Sequence, residues 1–72
     1  EKASFDFVYI DGGHSYDTVK FDYEQVKDSK LIVFDDAKNK NAKGVLTFMD
    51  ELLSKGTEIQ FQDRWGIIRN YA

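Results

Sequence analysis

Residues 5–36 read FDFVYIDGGHSYDTVKFDYEQVKDSKLIVFDD, and the two apolar runs at the ends of this stretch decide the fold. Phe5 to Asp11 mixes aromatic with β-branched residues and carries acids only at Asp6 and Asp11, the composition expected of a buried strand. Leu31 to Phe34 is an unbroken apolar run that stops at Asp35-Asp36, a second buried strand by the same reading. Between them Tyr16, Val19, Tyr23 and Val26 recur at intervals of three and four, which predicts a helix with one apolar stripe. Ser15 is placed to cap it, and Asp17 falls in its first turn, near the positive end of the helix dipole. Two strands joined by a helix form a βαβ unit, with parallel strands and a right-handed crossover in nearly all cases.

Downstream, the polar loop Ala37–Ala42 leads into a helix expected from about Lys43 to Lys55, with Val45, Met49, Leu52 and Leu53 inward and Gly56 as its C-terminal cap. Glu58–Gln62 and Ile67–Tyr71 then read as a hairpin connected through Asp63-Arg64-Trp65-Gly66. The order is β-α-β-α-β-β: one α/β unit over residues 1–72, without repeat or linker.

Composition limits the function. The chain is 42% hydrophobic and 32% charged, which predicts an ordered domain, and at 72 residues its core is small. Net charge is −3 with lysines and acids interleaved, so no basic stripe offers a footprint for nucleic acid. No apolar run approaches the roughly 20 residues that span a bilayer, no secretory signal opens the chain, and cysteine is absent. The expectation is a cytoplasmic protein with no membrane partner.

Ligands of open α/β sheets bind beyond the carboxyl ends of the parallel strands. That edge should gather Asp11, Gly12, Gly13, His14, Asp35 and Asp36. Three carboxylates suit a hard cation such as Mg²⁺; the same acids could instead cap loops as solvated side chains. Successive residues of a strand face opposite ways, so Asp35 and Asp36 can act together only if the strand ends at Phe34 and the chain bends. His14 reads either as a surface imidazole bonded to a loop carbonyl or as a general base. Gly12-Gly13 would let a ligand approach the backbone closely.

The string D-G-x-H-x-Y-x-x-V-x-x-D, met by Asp11, Gly12, His14, Tyr16, Val19 and Asp22 and followed by LIVFDD and GVLTFMDEL, resembles small-molecule class I S-adenosylmethionine-dependent methyltransferases. The resemblance covers nearly the whole chain, and it implies a Rossmann-like half-domain, the C-terminal half of such an enzyme. It runs from the fourth strand of the family's sheet onward, with an antiparallel seventh strand between the fifth and sixth. It implies Asp11, Asp35 and Asp36 as ligands of Mg²⁺, as in metal-dependent O-methyltransferases, and Asp11, Gly12, Gly13 and Tyr16 beside the S-adenosylmethionine cofactor. His14, where the catechol enzyme has a lysine, becomes the catalytic base or a substrate contact, and the partner is a small-molecule hydroxyl acceptor.

This sequence departs from the family in two places. Val26-Lys27-Asp28-Ser29-Lys30 enters Leu31 without the usual Gly-Gly turn, and the glycine-rich loop and acids that hold most of the cofactor are absent, so the chain alone is expected to be inactive. The rival expectation is a non-catalytic α/β interaction module that self-associates as a homo-oligomer through the free edge of its first strand.

Overall fold

The computed structural model describes residues 4–11 and 14–70. Six elements follow one another: β1 (Phe7–Ile10), α1 (Tyr16–Val26), β2 (Leu31–Phe34), α2 (Lys43–Ser54), β3 (Gln60–Gln62) and β4 (Trp65–Arg69). They form a small α/β unit with one mixed sheet of four strands in the order β1-β2-β4-β3. β1 and β2 are parallel, in a register that sets Phe7 against Leu31 and Ile10 against Phe34. β4 runs antiparallel to both β2 and β3. Order and direction therefore differ from an all-parallel doubly wound sheet.

Both helices pack on one face. In register, Val8 and Ile10 of β1, Ile32 and Phe34 of β2, and Ile68 of β4 point to that side. Phe34 meets the rings of Tyr23 from α1 and Phe48 from α2 at centroid distances of 5.7 and 6.2 Å. Ile32, Phe34, Phe48, Met49 and Ile68 are buried with Val19, Val45 and Leu52 around them. Gly66 contributes to this packing because it has no side chain: a Cβ there would stand 3.0 Å from that of Ala37 and 3.3 Å from the Met49 sulfur.

Three expectations need correction. β1 is not a doubly buried strand: Phe7 and Tyr9 are 57% and 46% exposed, because their face of the sheet carries no described helix. In α2 it is Phe48, not Leu53, that enters the core; Leu53 is 43% exposed. The hairpin turns on Asp63-Arg64 alone, while Trp65 and Gly66 already pair with Gln62 and Phe61. Asp63 takes the left-handed backbone conformation with φ 53°, which aspartate tolerates better than most residues, so the turn does not require the glycine.

The ends of the helices behave as their residues dictate. The Ser15 side chain accepts a bond from the Thr18 backbone N–H, which satisfies one of the free donors at the start of the helix. At the far end of α2, Gly56 N donates to Leu53 O and Thr57 N to Leu52 O, with Gly56 at φ 92°. This is a Schellman closure, which needs a left-handed residue at that position. Among the described residues no helix is long and apolar enough to cross a membrane.

Candidate functional site

The parallel pairing of β1 and β2 carries their carboxyl ends to one edge, and the chain bends there. β2 stops at Phe34, Asp35 N still donates to Ile10 O at 3.0 Å, and Asp36 turns into the left-handed region with φ 59°. That bend overcomes the alternation of a regular strand. Asp11, Asp35 and Asp36 each offer a carboxylate oxygen within 4.8 Å of the others. His14, at the entry to α1, lies with Nε2 2.9 Å from Asp36 Oδ2. An ionised carboxylate can only accept, so Nε2–H donates, which in a neutral imidazole leaves the lone pair on Nδ1.

Arg64 completes the cluster from the other side. Its Nε donates to Asp35 Oδ1 at 2.7 Å, and its NH2 group to Asp35 Oδ2 at 3.4 Å and Asp36 Oδ1 at 3.3 Å. The Asp36 backbone N–H also donates to Asp35 Oδ1 at 2.9 Å, and Asn39 Nδ2 donates to Asp36 Oδ1 at 3.3 Å. Burial pushes the Asp35 carboxyl up, but the bonds from Asp36 N–H, Arg64 and Tyr9 outweigh it and hold that carboxyl below its ordinary value. Asp11 moves the other way. Partial desolvation, then the hydrogen bond and negative charge of Asp35 and the charge of Asp36, raise its carboxyl above the ordinary value.

A cavity of about 10 Å³ lies among Ile10, Asp11, His14, Val19, Asp35 and Asp36, room for about one water-sized body. A shallow groove of about 470 Å³ follows the free edge of β1, with Val8, Ile10 and Asp11 on one wall and Asp22 and Val26 of α1 on the other. Asp11 lines both spaces.

Of the residues singled out in the sequence, the structure brings together Asp11, His14, Asp35 and Asp36. Tyr16 stands apart from them: its hydroxyl donates to Glu51 and accepts from Lys20 Nζ at 3.2 Å, and its ring meets Phe48 edge-on at 6.0 Å, so it joins α1 to α2. Gly12 and Gly13 lie outside the described residues.

Sequence reasoning missed Arg64 and Tyr9, which reach Asp35 from β4's turn and from β1. Nothing in the string marks Arg64, which the hairpin alone brings to Asp35. It also missed Gly44: a Cβ there would collide with the backbone of His14, Ser15 and Tyr16, so α2 lies directly against the segment that holds the imidazole.

Compared with known proteins, the chain matches no family model, no curated protein and no solved structure.

Proposed function

We propose that this chain is the C-terminal portion of a class I S-adenosylmethionine-dependent methyltransferase that acts on a small-molecule hydroxyl with the help of a divalent cation. One observation carries the reading: three carboxylates converge within 4.8 Å at the carboxyl ends of two parallel strands, the place where α/β sheets bind ligands. The placement of antiparallel β4 between β2 and β3 is the arrangement that the resemblance implies. The bare sheet face and the free edge of β1 are surfaces that the rest of such a domain would cover.

The donor set fits a small hard cation. Asp11, Asp35 and Asp36 supply only oxygen, the cavity among them is small, and the crowding that raises the Asp11 carboxyl is what a dication relieves. A cation held there would polarise the acceptor hydroxyl, easing loss of its proton, while S-adenosylmethionine supplies the methyl group. His14 would take that proton on Nδ1, with Asp36 fixing the tautomer through Nε2–H. Asp11, with Gly12 and Gly13 after it, borders the cofactor.

Calorimetric titration with MgCl₂ is the test. Binding that Asp11→Asn abolishes supports the proposal. Indifference to the cation in a folded protein favours the second reading, a non-catalytic α/β interaction module in which Arg64, His14, Asn39 and the Asp36 backbone N–H satisfy Asp35 and Asp36 without an ion. The fork of Arg64 on Asp35 and Asp36 is what keeps that second reading in play.

A further inference from the structure

We infer that Arg64 is a displaceable counter-ion: it holds Asp35 and Asp36 when no cation is present, swings out when a divalent cation enters, and so sets the affinity of the site. The inference rests on the cation reading above and adds a residue that neither the motif nor the strand ends point to.

Four features of the geometry lead to it. First, the guanidinium occupies both oxygens of Asp35 and one of Asp36, so the positions on which a cation would bind are taken by Arg64 donors. Second, the side chain is free to leave. It is 60% exposed, and the backbone of residue 64 is fastened independently, its carbonyl accepting from Ala37 N at 2.9 Å while the flanking residues Gln62 and Trp65 pair in the hairpin.

Third, the acids keep their orientation without it. Asp35 retains the Asp36 N–H at 2.9 Å, and Asp36 retains His14 at 2.9 Å and Asn39 at 3.3 Å. Fourth, the charge balance is incomplete. Arg64 brings one positive charge to three carboxylates and makes its hydrogen bonds to Asp35 and Asp36 only, leaving Asp11 to a cation. A doubly charged ion that all three acids reach competes well against a guanidinium that two of them hold.

Mn²⁺ and Mg²⁺ serve as probes on the full chain, with folding of each variant checked by circular dichroism. Arg64→Ala is expected to bind Mn²⁺ about tenfold tighter or more, the equivalent of one charge-assisted hydrogen bond no longer competing. Arg64→Lys, which keeps a charge but loses the fork, should fall between; it also serves if the alanine variant folds poorly. In the wild type, the Arg64 Nε–H resonance should lose its hydrogen-bonded shift as Mg²⁺ is added.

Equal or weaker Mn²⁺ binding by both variants, or an Arg64 resonance that ignores saturating Mg²⁺, overturns the counter-ion role while leaving the cation reading intact. Absence of binding by wild type and both variants at millimolar concentration is a different result: it removes the cation reading itself, and the role of Arg64 with it.

Discussion

The two faces of the sheet are built from neighbouring residues of the same strands, yet they live in different surroundings. On the helix side Ile32 and Phe34 are fully buried and Ile68 is 2% exposed. On the other side, Phe7 and Tyr9 of β1 stand about half in solvent, in line with Leu31 and Val33. The side chains are equally apolar, so hydrophobicity alone does not separate the faces; what separates them is that α1 and α2 both return over one side. A strand buried on both faces reads as a continuous apolar run, and both runs have that character. The bare side has the composition of an interior, and a contiguous apolar surface of this kind marks a place that something covers.

The sharpest way to test this contrast is to truncate one ring on each side. Phe34→Ala removes a side chain that meets Tyr23 and Phe48 and should cost about 3–5 kcal/mol. A chain of this length has a total stability of about 4–11 kcal/mol, so urea denaturation should find the midpoint of the variant far below that of the wild type. Next in size is Gly44→Ala. The added methyl meets the backbone of His14, Ser15 and Tyr16, and the displacement should cost about 1–3 kcal/mol against a helix-propensity gain of about 1 kcal/mol. A lowered Tm, with amide shifts changing at residues 14–16, is the expected signature.

On the bare face the effect should nearly vanish. Phe7→Ser is expected to change stability by no more than about 0.5 kcal/mol and to raise solubility. A cost comparable to that of Phe34→Ala would break the comparison, since it would mean that the face is covered in solution. The smallest effect concerns the strand ends and shows only with pH. The Asp11 carboxyl is raised in the folded protein, so its contribution to stability is present below the unfolded value and is lost as pH rises through the folded one. Asp11→Asn should therefore match wild type in acid and become the more stable of the two as pH climbs above the ordinary aspartate range, read by Tm across a pH series. Asp35 has the opposite sign: its lowered carboxyl stabilises above the unfolded value, and that support fades as pH falls through the folded one.

Much of the architecture was legible because it depends on local rules. The Ser15 cap, the Gly56 closure, the Leu31–Phe34 strand and the meeting of Asp11 with Asp35 and Asp36 each follow from residue type and spacing. The misses share a physical cause, since each depends on what lies across space. Leu53 and Phe48 both suit the inner side of a helix, and the direction of α2 over the sheet selects Phe48. Trp65 and Gly66 look like turn residues until Gly66 is seen to pair with Phe34 of β2 and Trp65 with Gln62 of β3. Arg64 is an ordinary turn residue in the string, and only the return of the hairpin beside the end of β2 brings it to Asp35.

The insertion of β4 between its neighbours has a consequence for how the molecule opens. β3 is joined to the sheet through β4 alone, over three residue pairs, and all of its side chains are exposed. It can peel away while β1, β2 and β4 remain together, so its amides should exchange with solvent deuterium well ahead of those of Ile32 or Ile68. Fluctuation of this kind should be concentrated at the outer rim of the hairpin, and because Asp63 and Arg64 follow directly on β3, Arg64 is the part of the acid cluster nearest in sequence to that rim.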